Sequence, residues 1–127
     1  MSTFELAKRF IIDRKYQIVD EDNAAGYIAF RFQLNTIRFW ANGDDDHFFF
    51  LTLPGFTGVT AENMVQVKEK CHQINKDAKL VKLYIMHDII WAAAELYYLA
   101  KKDFDFQMLN ALKHLVAAKV MYKKLEE

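Results

Sequence analysis

Four consecutive residues, Asp44-Asp45-Asp46-His47, carry carboxylate and imidazole groups, which are ligand types that divalent metal ions prefer. Consecutive side chains of an extended chain point in opposite directions, so these four groups do not converge on one point. The alternate spacing of a calcium-binding loop, with a glutamate at its twelfth position, is also missing. Asn42 and Gly43 precede the cluster, and the whole run is typical of a hairpin turn. We therefore expect a solvated turn and no metal site.

Cys71 and His72 are a second pair that could do chemistry, as a nucleophile and its base. Neighbouring residues of a helix point about 100° apart, so this thiol and this ring do not face each other. Cys71 also shares an apolar stripe with Val67 and Ile74, where a free cysteine packs as a small hydrophobic side chain. The sequence has no nucleophile-elbow serine, phosphate-binding loop or dinucleotide fingerprint. We therefore expect no enzyme activity, no catalytic residue and no cofactor.

The composition describes a protein with a substantial core: 127 residues, 53% hydrophobic, with a formal net charge of zero. A chain of this length folds around one core, so we expect a single α+β domain over residues 1–127. Neutral charge provides no argument for binding nucleic acid or an anionic membrane. No apolar run approaches the roughly 20 residues that span a bilayer, and the N-terminus lacks the basic segment of a signal peptide. We expect a cytoplasmic protein.

The spacing of apolar residues predicts three helices and five strands in the order α-β-β-β-α-β-β-α. Ser2 and Glu5 have the spacing of a capping box, so the first helix begins there and fades near Arg14–Lys15. The second helix is expected to run from Thr60 to about Asn75, and the last from Asp103 or Asp105 to Lys124. The predicted strands, an antiparallel meander followed by a hairpin, occupy residues 27–33, 36–41, 46–53, 80–86 and 89–100.

Three segments between or within these elements need interpretation. The polar residues ahead of Gly26 are predicted to form a loop, and so are residues 54–58, which include Pro54 and Gly55. Segment 89–100 is ambiguous, because its alanines favour a helix whereas its β-branched and aromatic residues favour a strand. Only His87-Asp88 separates it from the preceding strand, and a two-residue link suits a hairpin. We therefore interpret it as a strand.

The strand predicted at 46–53 is apolar on both of its faces. We expect Phe48 and Phe50 to share a face with Ile37 and Phe39 under the helices. Five large side chains would then occupy the other face, unless the turn shifts the register by one residue: Arg38, Trp40, Phe49, Leu51 and Leu53. Such a face is covered by other parts of the chain, by a second copy, or by a partner protein.

The predicted order of elements resembles the type III secretion chaperone-like fold and, more narrowly, the YbjN-like family, described as bacterial sensory transduction regulators. The resemblance is carried by Ile28-Ala29-Phe30-Arg31-Phe32, by Phe48-Phe49-Phe50-Leu51 and by the segment from Val67 through Asn75 to Leu83. It covers nearly the whole chain, as a pattern of hydrophobic spacing. The resemblance implies that there are no established catalytic residues and that the function is to bind other proteins. Secretion chaperones of this fold are usually dimers that hold a segment of a partner against apolar surface.

Two functional hypotheses follow from these observations. The first is a non-enzymatic chaperone-like or adaptor module, a homodimer that binds a protein client through Trp40, Phe49, Leu51 and Leu53, with Phe56 in the following loop. The second is a sensor domain that binds a small ligand in an aromatic pocket between the sheet and the last helix. That pocket would be lined by Trp91, Tyr97 and Tyr98.

Overall fold

The computed structural model describes residues 1–41 and 47–126. Its elements are α1 (Thr3–Asp13), β1 (Ile18–Asp22), β2 (Tyr27–Phe32), β3 (Asn35–Ala41), β4 (Phe48–Gly58), α2 (Met64–Asp77), β5 (Val81–Met86), β6 (Ile89–Tyr97), a 3₁₀ turn (Lys101–Asp103) and α3 (Phe104–Glu126). The strands form one antiparallel sheet in the order β1-β2-β3-β4-β6-β5. The predicted α+β class and order of elements are confirmed, with one strand added.

The added strand is β1, which occupies the polar stretch predicted as a loop ahead of Gly26. β1 pairs with β2, and of its residues only Ile18 is half-buried. An edge strand of this kind is held by backbone hydrogen bonds to its neighbour, and Glu21 adds an ion pair to Lys8 of α1 at 3.0 Å. Because its side chains are mostly solvated, β1 has no alternating apolar pattern that a sequence reading would detect. Its charges also oppose pairing with another chain.

The loop predicted at residues 54–58 is instead the last part of β4. Pro54 pairs with Trp91 and Gly58 with Ile89, and the register between them is irregular. Gly55 has a φ of +86°, a conformation that side chains with a Cβ rarely adopt, so the proline and glycine form a bulge rather than ending the strand. The strand resumes beyond the bulge, where Phe56 is buried.

The predicted limits of the other elements agree closely with the structure, except at the start of the second helix. The Ser2 hydroxyl accepts a hydrogen bond from the backbone N–H of Glu5 at 3.1 Å, as expected for the first N-cap. α2 begins at Met64 rather than at Thr60, because the Asn63 carboxamide accepts from the Thr60 N–H at 2.7 Å and holds a separate turn ahead of the helix. Segment 89–97 is a strand: His87 and Asp88 both have positive φ, as a two-residue hairpin requires.

All three helices pack against the same face of the sheet. Ring and aliphatic side chains from the helices and from alternate strand residues form one continuous core there. Its largest fully buried members include Phe10, Phe30, Phe39, Phe49, Phe56, Tyr98, Phe104 and Tyr122. The strand residues between the buried ones lie on the opposite surface of the sheet, which we call the open face.

Candidate functional site

The pairing of β3 with β4 decides which side chains reach the open face. Phe39 is opposite Leu51 and Trp40 is opposite Phe50, so the members of each pair lie on the same face. The register therefore differs by one residue from the arrangement that we expected, and the expected assignment of faces is wrong. A shift of one residue moves every side chain of a strand to the other face.

Four of the five residues predicted to bind a partner consequently belong to the core. Phe49, Leu51, Leu53 and Phe56 have at most 2% of their surface exposed and pack under the helices. Trp40 lies on the open face. Its partner across β4 on that face is Phe50, a residue that we expected under the helices. A partner-binding role for this face therefore rests on Trp40 and on side chains that the sequence reading placed elsewhere.

The three residues of the predicted small-ligand pocket are also divided between the two faces. Trp91 lies on the open face and Tyr97 is half exposed, whereas Tyr98 is buried on the helix side. The Tyr98 hydroxyl lies 2.7 Å from the Thr3 hydroxyl, and its ring packs on Phe49 and Phe104. Because alternation separates adjacent strand residues, these three side chains do not line one pocket between the sheet and α3.

The open face is organised as three rows of side chains that cross the strands. The first row contains Tyr27, Trp40, Phe50 and Glu95, and the second contains Arg38, Thr52, Ala93 and Lys82. The third row contains the paired residues Trp91 and Tyr84. The short side chains of Thr52 and Ala93 therefore lie between two rows of aromatic rings.

Stacking holds the aromatic rings on each side of this depression. Trp40 and Phe50 stack with their ring centroids 6.0 Å apart and their planes 11° from parallel. Tyr84 and Trp91 stack at 6.5 Å and 18°, and the Trp91 indole N–H donates to the Met86 carbonyl at 3.0 Å. Burial raises the pKa of Tyr84 above its ordinary value. The rings thus form two ordered apolar walls around a partly desolvated space.

Two adjoining cavities of about 260 and 470 Å³ follow these walls. The smaller is lined by Arg38, Trp40, Phe50, Thr52, Tyr84, Met86 and Trp91. The larger is lined by Phe50, Thr52, Leu80, Lys82, Tyr84, Ala93 and Glu95. Since Phe50, Thr52 and Tyr84 line both, the cavities form one depression, which we call the aromatic groove.

Two buried polar atoms in the aromatic groove have no hydrogen-bond partner among the described residues: Arg38 Nε and Thr52 Oγ1. Thr52 is only 5% exposed. The Arg38 guanidinium carbon lies 5.6 Å from the centroid of the Trp91 ring, a cation–π contact. Buried polar atoms without partners are uncommon in native proteins, so these two mark the groove as chemically distinct from the rest of the sheet.

Two of the residues first considered for chemistry, Cys71 and His47, contact other parts of the fold. Cys71 is 7% exposed in the core, and burial raises the pKa of its thiol, which disfavours the reactive thiolate. His47 Nδ1 lies 2.8 Å from the Tyr98 carbonyl oxygen, whereas Asp44, Asp45 and Asp46 lie outside the described residues. Among the residues that the structure describes, no group of three or more His, Cys, Asp or Glu side chains could hold a metal ion. Within residues 1–41 and 47–126, no helix is both long and apolar enough to span a membrane.

The sequence reading missed Thr52, Phe50 and Tyr84 as members of a site. Strand alternation alone would have placed Phe50 and Thr52 on the same face. The observed pairing of β3 with β4, one residue away from the expected register, aligns them with Trp40 and Arg38. Tyr84 lies on the face opposite Val81 and Leu83, and no sequence signal connects it with Trp40.

Comparison of the structure with solved structures identifies the fold. The chain is similar to YbjN from E. coli, described as a proposed transcription regulator, with a TM-score of 0.70, 8% identity, and coverage of 96% of this chain and 92% of that chain. It is similar to an uncharacterised protein from Methanothermobacter thermautotrophicus, with a TM-score of 0.67, 13% identity and coverage of 97% and 95%. It is also similar to the Yersinia pestis type III secretion chaperone SycH, solved with a stable fragment of YscM2, with a TM-score of 0.65, 11% identity and coverage of 95% and 99%.

These similarities confirm the YbjN-like, secretion chaperone-like fold that the sequence predicted. No sequence model of a protein family and no curated protein matches the chain. The identities of 8 to 13% establish the fold alone.

Proposed function

We propose that the chain is a non-enzymatic protein-binding module, chaperone-like or adaptor in type, that holds a partner protein on the open face. The observation that carries the proposal is the set of aromatic side chains, Trp40, Phe50, Tyr84 and Trp91, on the sheet surface opposite all the described helices. Each of them remains only half-buried. Aromatic residues concentrated on one surface are typical of protein interfaces, because rigid rings bury much area at little entropic cost.

The fold supports the same proposal. SycH, which shares this fold, was solved with a fragment of another protein, YscM2. We infer from this neighbour that the chain has the capacity to bind a protein. The homodimer and the cytoplasmic location expected from the sequence remain part of the proposal.

Native mass spectrometry of the protein purified gently from its own host tests the proposal. We expect the wild-type chain to carry a second polypeptide, and the double variant Trp40→Ala, Phe50→Ser to lose it. Phe106→Ser is the matched control, because Phe106 is 73% exposed on α3, away from the open face. The same spectra give the number of copies of the chain.

The two outcomes of this comparison are distinct. Loss of the partner in the double variant and its retention in Phe106→Ser support binding at the open face. A partner that remains bound to a folded double variant would show that the open face is not the binding surface. Circular dichroism of each variant confirms the fold before the comparison is made.

A second function is favoured by one specific observation, the unpartnered Arg38 Nε and Thr52 Oγ1 beside Trp91. A polar small ligand in the aromatic groove would bond to them, so the sensor hypothesis moves from the helix side of the sheet to the open face. A bound ligand raises the melting temperature by mass action. A metabolite screen by thermal shift, repeated on Arg38→Gln, would reveal such a ligand; a screen without any Arg38-dependent shift would argue against this function.

A further inference from the structure

Arg38 and Thr52 are direct partners across β3 and β4, at the centre of the open face. Arg38 Nε carries an N–H donor, and the Thr52 hydroxyl can donate as well as accept. Both atoms are buried, and neither has a hydrogen-bond partner in residues 1–41 and 47–126. Two adjacent donors without acceptors are suited to an oxygen ligand that accepts two hydrogen bonds, and a carboxylate has that geometry.

The charge of the smaller cavity points to the same ligand. Arg38 is the only charged residue among the seven that line it. Two acidic residues lie nearby. Asp20 pairs with Ala29, which in turn pairs with Arg38, but no ion pair between described residues joins Asp20 to Arg38. Glu95 lines only the adjoining cavity. The Arg38 charge in the smaller cavity is therefore not balanced by another lining residue.

The interactions of the Arg38 guanidinium with the described residues are few. No described residue holds its guanidinium by a hydrogen bond or an ion pair. Its guanidinium carbon lies 5.6 Å from the centroid of the Trp91 ring. Arg31, on the same face, provides a contrast. Its guanidinium donates to the Thr36 hydroxyl at 2.8 Å and to the Leu34 carbonyl at 3.1 Å. The Arg31 guanidinium is therefore held by hydrogen bonds to its neighbours, whereas the Arg38 guanidinium makes no such bond to a described residue.

The length of the aromatic groove favours a peptide segment over a single small molecule. The second row runs from Arg38 on β3 through β4 and β6 to Lys82 on β5, three strand spacings or about 14 Å. An extended chain advances about 3.3 Å per residue, so this distance corresponds to about four residues. The aromatic walls on both sides of the row are suited to apolar or aromatic neighbours of the acidic residue.

We propose that the aromatic groove binds an acidic side chain of a partner segment, with its carboxylate on Arg38 and Thr52. The residues next to that acid lie against Trp40 and Trp91. This inference rests on the proposed function, since it names the chemistry that the partner presents at the same face. It commits to an acidic residue flanked by apolar or aromatic ones within an extended peptide.

Selection from a display library of random twelve-residue peptides tests the inference. The wild-type chain, Arg38→Gln, Thr52→Val and the double variant Trp40→Ala, Phe50→Ser serve as separate baits. Arg31→Gln is the matched control, because it removes the same charge from the same face. Selected peptides are then synthesised with glutamate and with glutamine at the enriched acidic position. Their binding is followed by tryptophan fluorescence, since both tryptophans of the chain, Trp40 and Trp91, lie on the open face.

We expect the wild type to enrich peptides with aspartate or glutamate beside aromatic residues. Replacing glutamate by glutamine should weaken binding to the wild type and to Arg31→Gln by about tenfold or more, as for a charge-assisted hydrogen bond. The same replacement should have little effect on Arg38→Gln. Thr52→Val should reduce the difference in part, because one of the two donors is lost.

The other outcomes separate the inference from the proposed function. Peptides that bind the open face without any preference for an acid, or that keep this preference on Arg38→Gln, would overturn the carboxylate site and leave the protein-binding function standing. Peptides that bind the double variant as well as the wild type would overturn both. Free 3-phenylpropionate binding as tightly as the peptides, and only when Arg38 is present, would identify a small acid as the occupant instead. A dimer that closes the open face in sedimentation experiments, and that the double variant dissociates, would show that the occupant is a second copy.

Discussion

Phe39 on β3 is directly opposite Leu51 on β4, and neither side chain is exposed to solvent. This pairing places Phe49, Leu51 and Leu53 under the helices and brings Phe50 and Thr52 to the open face. The division of β4 between the core and the candidate site follows from this one register. A test of the register is therefore also a test of where the site lies.

Alanine substitutions at two adjacent positions of β4 test that register. Leu51→Ala removes a fully buried side chain, so we expect the free energy of unfolding to fall by about 2–5 kcal/mol. Phe50→Ala removes a larger side chain that is only half-buried, and we expect less than half of that loss. Urea unfolding followed by circular dichroism measures both. Equal losses, or a larger loss for Phe50→Ala, would show that the two faces are assigned the wrong way round.

The elements of this fold were predictable because most of them have an apolar face. The start of α1 is marked by its N-cap at Ser2, and the start of β6 by the two-residue link at His87-Asp88. At both positions the local residue types and the pattern of buried side chains indicate the same element. β1 was not predictable, because its stability comes from backbone pairing with β2 and its side chains are mainly solvated. Pro54 and Gly55 likewise suggested the end of a strand, whereas β4 tolerates them in a bulge.

The candidate site was harder to predict than the fold, for a reason specific to β4. This strand is apolar on both faces, so its composition does not state which face is buried. Which face is buried depends on how β4 aligns with β3, and that alignment is a property of the whole sheet. The groove also joins Arg38 with Tyr84 on distant parts of the chain, and only the strand order brings them together.

The hydrogen bond between Thr3 and Tyr98 should contribute measurably to stability. Their hydroxyl oxygens lie 2.7 Å apart in a buried position and connect the start of α1 with the residue after β6. We expect Tyr98→Phe and Thr3→Val each to lower the free energy of unfolding by about 1 kcal/mol or more, because each leaves the other hydroxyl without this partner. A double-mutant cycle then isolates their coupling from the other contacts of Tyr98. Strictly additive effects would contradict a direct bond.

Thr52→Val should stabilise the free protein. The Thr52 hydroxyl is buried without a partner, and valine has a similar branched shape without the polar atom. We expect the free energy of unfolding to rise by about 1 kcal/mol, since the cost of an unsatisfied buried hydroxyl is removed. Chemical denaturation of the wild type and the variant, both without partner, measures the change. A loss of stability would mean that the hydroxyl is already satisfied in the free protein, and it would weaken the assignment of Thr52 to a binding site.

Tyr122→Phe should change how stability depends on alkaline pH. Tyr122 is fully buried, and burial, with smaller effects of Glu126 and Cys71, raises the pKa of its hydroxyl to about 12. In the unfolded chain this pKa is about 10, so the folded state retains the proton that the unfolded state releases first. The titration of this residue therefore leaves the free energy of unfolding unchanged below about pH 10 and lowers it as the pH rises from about 10 through about 12.

Phenylalanine at position 122 removes this titration and also a hydroxyl that has no hydrogen-bond partner in the part of the chain that the structure describes. Near neutral pH we therefore expect Tyr122→Phe to be at least as stable as the wild type. Above about pH 10 the variant should become progressively more stable than the wild type, because only the wild type has at position 122 a buried phenol that opposes ionisation. Urea unfolding of both proteins at a series of pH values gives the difference directly. A difference that stays constant through the alkaline range would contradict a raised pKa at Tyr122.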